Sequence, residues 1–190
     1  LQADGKLLIS GGFTHIGISS PRNQIARLNV DGSVDTTFGT GLSGLSPSAA
    51  SAFGIQSDGK ILIGGSFTTV NGTTRNRIAR MNSDGTLDNS FGNGLTGANN
   101  SVSDLVLQPD GEVLIGGSFT TVNGVALTRI GRLNSDGSVD GTFGTGLAGA
   151  NNTVRGIFVL GNGKVLICGD FTTINGVTRN RIARLNPDGS

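Results

Sequence analysis

Oxygen-bearing side chains recur along this chain at a spacing that suits a divalent cation. Asn82, Asp84 and Asp88, then Asn134, Asp136 and Asp140, and before them Asn29, Asp31 and Asp35, fill positions 1, 3 and 7 of a short loop with glycine after the middle one. Calcium takes such oxygens in an EF-hand, where a carboxylate opens the loop and a bidentate Glu closes it. Around Asn134 to Asp140 those two places hold Arg132 and Phe143. Half the ligand set is missing, so no cofactor is expected, with calcium as the lesser alternative. The competing reading is an Asn-x-Asp-Gly turn that closes its own backbone hydrogen bonds.

A second constellation pairs charges. Arg27, Arg80, Arg132 and Arg184 recur at one repeat position, and Asp35, Asp88 and Asp140 follow the first three of them. A reacting group is needed once, whereas a packing group is needed in every copy. These residues therefore read as structural pairs joined by charge-assisted hydrogen bonds between antiparallel neighbours. The exceptions are better candidates for a ligand. Asp104 and Arg155 have no counterparts of their type, since Ala52 and Gly156 match the first and Ser51 and Ser103 the second. Cys168 matches Ser10, Gly64 and Gly116, and reads as a buried, inert thiol; His15 matches Thr69, Thr121 and Thr173 and reads as a solvent-exposed substitution. Asn71, Asn99 and Asn151 fit the glycan-acceptor pattern, which an Asn/Thr-rich chain produces by chance.

The positioning elements come from an internal repeat, which has to be recognised before any local assignment. Residues 60–69, KILIGGSFTT, recur as KLLISGGFTH from Lys6, EVLIGGSFTT from Glu112 and KVLICGDFTT from Lys164, at offsets of 54, 52 and 52 residues. A second block follows each: QIARLNVDGSVDTTF, RIARMNSDGTLDNSF, RIGRLNSDGSVDGTF and RIARLNPDGS. Gly-rich connectors, GTGLSG, GNGLTG and GTGLAG, separate the copies, and the two extra residues of the first period fall within 13–27 and 44–58. Asp4-Gly5, Asp58-Gly59, Asp110-Gly111 and Asn162-Gly163 predict tight type I′ hairpins. Asn71-Gly72 and its counterparts predict a turn into a third strand, and Asp84-Gly85 a turn into a fourth. The unbroken apolar triplet Ile61-Leu62-Ile63 predicts a strand covered on both faces. No stretch has the apolar stripe of a helix.

The expected fold is all-β: a propeller or propeller-like array of four-stranded antiparallel blades, with about 52 residues per repeat. The blades divide as 1–49 (partial), 50–101, 102–153 and 154–190 (partial), and the whole is expected to be a portion of a longer propeller or to be completed by another copy. Asp104 and Arg155 then lie on innermost strands, which line a propeller's channel.

Composition excludes several classes of function. A net charge of +1 with no basic run gives no electrostatic route to nucleic acid, and no apolar run reaches the length of a membrane span. One Cys and one His leave no multi-cysteine metal cluster and make a zinc enzyme or histidine triad unexpected. Glycosidases need two carboxyls in a cleft, and the only Glu is Glu112, beside a hairpin turn.

The motif DGKxLIGGxFTxxNG followed by RIARLNxDGSxDxxFGxGL resembles the bacterial delta-sixty repeat family over essentially the whole chain. The paired glycines, as in Gly64-Gly65, are also similar to those of kelch blades, although the kelch aromatics are missing. The resemblance implies a propeller of a secreted or surface-anchored bacterial protein and no particular activity. The expected function is a non-enzymatic extracellular scaffold or binding propeller whose partner is a protein or glycan. The alternatives are a structural subunit of an adhesive filament, with neighbouring subunits or further repeats as partners, and, more weakly, a carbohydrate-active enzyme using channel residues.

Overall fold

Apolar triplets followed by small residues make good middle strands, because each triplet side chain can pack on a neighbouring sheet while the glycines admit close backbone approach. The structure, a computed structural model, describes residues 1–17, 20–39, 41–144 and 146–190. Ile18, Ser19, Thr40 and Thr145 lie outside the described residues.

Three sheets share one plan. Inner strand Ala50–Ile55, middle strand Ile61–Gly65 and outer strand Ile78–Met81 form the first; Val102–Leu107, Val113–Gly117 and Ile130–Leu133 the second; Val154–Val159, Val165–Gly169 and Ile182–Leu185 the third. All pairings are antiparallel. Preceding them, Leu7–Ser10 pairs with Ile25–Leu28. The fourth strand is reduced to single bridges, Leu28 with Val34, Met81 with Leu87 and Leu133 with Val139. Beyond each bridge the chain turns away, because the aspartate that follows is drawn to the arginine of its own outer strand.

Two turns differ from their sequence reading. At Asp58-Gly59 only the glycine has positive φ, at 81°. The Gly59 amide donates to the Gln56 carbonyl and the Gln56 amide to the Lys60 carbonyl, so the hairpin closes through a type I turn and a glycine bulge rather than a type I′ turn. The type I′ signature falls instead at Asn71-Gly72, with φ of 50° and 76°. That turn does not lead directly into the outer strand. It tips a separate ribbon, Thr69–Val70 with Thr73–Thr74, to which Leu45–Ser46 adds a third strand alongside Thr69–Val70, and which recurs in two-stranded form as Thr121–Val122 with Val125–Ala126 and Thr173–Ile174 with Val177–Thr178.

The core lies between sheets. One cluster joins Leu8, Ile25 and Phe38 to Ile61, Ile63 and Phe67; the next joins Leu62, Ile78 and Phe91 to Val102, Val113 and Ile115; the last joins Leu114, Ile130 and Phe143 to Val154, Val165 and Ile167. Ile61-Leu62-Ile63 and Val113-Leu114-Ile115 thus send their outer residues back to the preceding blade and their central residue forward, as the two-residue period of a strand requires. Between sheets the approach is close at the first glycine of each pair, where a Cβ on Gly64 would stand 2.7 Å from Val102 Cγ1 and one on Gly116 2.7 Å from Val154 Cγ1.

Gly64→Val is accordingly expected to lower stability by about 2 kcal/mol through overpacking. Gly161→Ala, where an added Cβ meets nothing within 4 Å, should leave the urea midpoint unchanged. Equal midpoints for the two variants would refute the close-packed interface.

Candidate functional site

Each outer strand places one arginine where it meets its own blade and the next. Arg27 Nε donates to Asp35 Oδ2 at 2.7 Å, Arg80 Nε to Asp88 Oδ2 at 2.7 Å and Arg132 Nε to Asp140 Oδ2 at 2.7 Å. The guanidinium also lies over a phenylalanine, 4.8 Å from the Phe38 centroid, 4.9 Å from Phe91 and 5.2 Å from Phe143. Its Nη1 reaches across the interface to a carbonyl in the Asp-Gly turn of the following blade: Ser83 at 2.6 Å, Ser135 at 2.9 Å and Pro187 at 3.4 Å. A backbone bond reinforces each crossing, since the amides of Gly39, Gly92 and Gly144 donate to the carbonyls of Asp84, Asp136 and Asp188. Arg184 occupies the same register, opposite Leu166, and its side chain is exposed.

Asp35, Asp88 and Asp140 are buried yet ionised. Burial raises the Asp35 carboxyl, but hydrogen bonds from Lys6, Thr37 and Arg27 outweigh it and hold the group well below the usual carboxylate range. Asp88 behaves likewise, burial being overcome by Ser90, Lys60 and Arg80. In the third blade the lysine is replaced by Glu112, whose Oε2 lies 3.0 Å from Arg132 Nε and competes for the same guanidinium. Asp140 is lowered through Thr142 and Arg132 against the cost of burial, with no ammonium to help. The lysine and the Thr or Ser two residues after each aspartate are the members that sequence reasoning missed; their repetition in the aligned copies was the available signal.

The cation-type loops are occupied by their own side chains. Asp84 Oδ1 accepts from the Thr86 amide at 2.9 Å and its hydroxyl at 2.6 Å, while Asn82 Nδ2 donates to Thr86 Oγ1. Asp136, Ser138 and Asn134 repeat this, as do Asp31, Ser33 and Asn29. Asp88 and Asp140, the third members of two triplets, are engaged by arginine instead. Among the described residues no group of three or more His, Cys, Asp or Glu side chains is placed to hold a metal.

Asp104 and Arg155 are not brought together. Arg155 is the residue left unpaired at a bulge between Val154 and Gly156, and Ser51 and Ser103 fill the same place in the other inner strands. Its side chain is exposed and grips Asp170, with Arg155 Nη2 2.5 Å from Oδ2 and Arg181 Nη1 3.4 Å from Oδ1. Asp104 follows the equivalent bulge and bridges two blades, accepting from the Leu105 amide at 2.9 Å and from the Ile157 amide at 2.7 Å. Nearby, an apolar groove of about 530 Å³ runs between the two inner strands, lined by Val106, Leu107, Pro109, Phe158 and Leu160. His15 is exposed beside Thr14, whereas Cys168, expected to be buried, is exposed and in no disulfide, because it lies on the face of its sheet that no other described strand covers. The acceptor-pattern amides are engaged: Asn71 Nδ2 donates to the Gly85 carbonyl, Asn99 Nδ2 to Thr120 Oγ1 and Asn151 Nδ2 to Thr172 Oγ1.

Because these aspartates sit below their unfolded value of about 3.9, their stabilisation is complete above that pH and disappears as pH falls through the folded values. Acid unfolding is therefore expected to begin below about pH 4. Glu112→Lys, which restores the ammonium present in the first two blades, should move the acid midpoint lower by strengthening Asp140 in its ionised form; a midpoint that rises would contradict the assignment. Chelator should shift the thermal midpoint little. A loss of about 10 °C, equivalent to well over 1 kcal/mol for a chain of this size, would place a cation in the loops after all.

No helix among the described residues is long and apolar enough to cross a membrane. Comparison with curated proteins gives no match. A crystal structure of a protein of unknown function from Bacteroides caccae is similar at 14% identity and a TM-score of 0.37, covering 87% of this chain and 72% of that one. The family described as "Domain of unknown function (DUF5122) beta-propeller" matches residues 2–38, 56–91, 108–143 and 160–190. The first three matched segments each run from the glutamine before a hairpin turn to the phenylalanine under the arginine, so each holds one arginine with its own aspartate and aromatic ring. With more than half of its length matched, the chain belongs to the DUF5122 beta-propeller family.

Proposed function

We propose that this chain is a non-enzymatic binding or scaffolding propeller of the bacterial delta-sixty repeat type, acting outside the cell or at its surface on a protein or glycan partner. The observation that carries this reading is the commitment of its carboxylates to architecture. Asp35, Asp88 and Asp140 serve the arginine clamp, Asp31, Asp84, Asp136 and Asp188 close their own turns, and the single Glu112 meets Arg132. Acid–base catalysis needs a carboxyl whose proton is exchangeable near the working pH, and a carboxylate held ionised by arginine is poorly suited to that. The ligand surface is the bulged rim of the inner strands around Arg155 and the adjacent apolar groove, since a few polar groups beside an apolar cleft are the usual form of a binding site.

The test is incubation of the protein with a panel of bacterial and host glycans, read both by retention on an array and by mass spectrometry of the glycans. Retention of a subset at unchanged mass is expected, weakened at least about tenfold by Arg155→Ala, equivalent to 1.4 kcal/mol. Shortened or unsaturated products would make the protein an enzyme.

A further inference from the structure

The blades meet through one interface used three times, and its closest point varies in a matched way. Where the outgoing middle strand carries Gly64 or Gly116, the incoming inner strand brings Val102 or Val154 to a place where a Cβ would stand 2.7 Å away. Where it carries Ser10, the incoming residue is Ala50, whose amide donates to Ser10 Oγ at 3.0 Å. A larger residue on one side is offset by a smaller one on the other, as dense packing demands.

The last blade presents the same face without a cover. Ile182 is 56% exposed, whereas Ile78 and Ile130 in the same register are 7% exposed. Phe158, on the inner strand of the same sheet and in register with Leu166 and Arg184, is 63% exposed. Arg77 and Arg129 donate from Nη1 to the carbonyls of Ala98 and Ala150 ahead of them, while Arg181 at that position turns to Asp170. At the place of closest approach stands Cys168, which pairs with Ile182 as Ser10 pairs with Ile25. A thiol there excludes valine opposite it and admits alanine, as the near-isosteric Ser10 does.

We propose that this outgoing face is the docking surface for one further blade of the same repeat type, and that Cys168 restricts the choice to a blade whose inner strand brings alanine or a smaller residue to the position of Ala50. Continuity with the three interfaces inside the chain identifies the occupant: the apolar surface, the free register of Arg184 and the size rule at Cys168 are all features that a blade of this repeat answers.

The experiment extends the full chain after Ser190 by one repeat in register, using either residues 34–86, which bring Ala50 opposite Cys168, or residues 87–138, which bring Val102. Cys168 is the only cysteine in either product, so maleimide labelling reports directly on whether the face is covered. With 34–86 appended, labelling is expected to slow at least roughly tenfold relative to the unextended chain. With 87–138 it should keep nearly the unextended rate, and the thermal midpoint should lie about 5 °C below that of the 34–86 product. Cys168→Gly in the 87–138 product should recover most of that difference, which separates a clash at one atom from a general failure to fold. Equal protection by both repeats would overturn the size rule, and protection by neither would overturn docking. Protection that grows with the concentration of the unextended chain would make a second copy the occupant and overturn the proposal as well.

Discussion

The arrangement depends on one guanidinium at each blade junction being held between two sheets. Arginine suits this place because its planar, permanently charged fork can bond a carboxylate with Nε and a carbonyl with Nη1 while its face lies on an aromatic ring. Arg80 does all three, to Asp88, Ser135 and Phe91. Removing Asp88 leaves Arg80 buried without a counter-charge, at a cost of about 3–5 kcal/mol, whereas removing Arg80 leaves Asp88 still paired with Lys60. The clamp therefore ties the integrity of one blade to the position of its neighbour, and the hydrophobic clusters, which also span consecutive repeats, make the same connection with non-directional forces.

That division of labour explains the local geometry. Apolar burial drives sheets together without fixing their relative slide, whereas the turn carbonyl above each arginine and the amide of the glycine after each phenylalanine fix it to a hydrogen bond's precision. The Asp-Gly turns are consequently more than chain reversals. Gly85 sits so close to the Gly39 amide that a Cβ would meet it at 2.8 Å, so the turn is shaped as much by the blade it leans on as by its own chain.

Much of this was legible in the sequence. The repeat, the all-β propeller class and the apolar triplets followed from spacing and from the two-residue period alone. The extra ribbon was not, because Thr69-Thr-type pairs around Asn71-Gly72 are too short to show an alternation, and their pairing is stabilised by the connector of the preceding repeat through Gly44 and Asn71. The turn type at Asp58-Gly59 was misread because Asp-Gly serves both I′ turns and glycine bulges, and the choice between them is made by the strand register around it. In the candidate site, the arginine and aspartate positions stood out by repetition; Lys60 also recurs, as Lys6 and Lys164, but was passed over because its role depends on reaching Asp88 across the sheet. The partners of Asp104 and Arg155 were also hidden: bulges put adjacent residues on unexpected sides, and nothing in the local sequence marks one.

The ribbons have a consequence for how such a molecule changes over time. The asparagine of each ribbon turn is tied to glycine backbone on two sides, yet the pair of residues just after it, Thr73 and Thr74, Val125 and Ala126, or Val177 and Thr178, is exposed and differs from blade to blade. Anchorage and variation are thus separated by a single residue. Drift at these positions can alter the chemistry displayed on the rim while the framework beneath it stays the same, so a lineage of such proteins can explore new surfaces without passing through unstable intermediates.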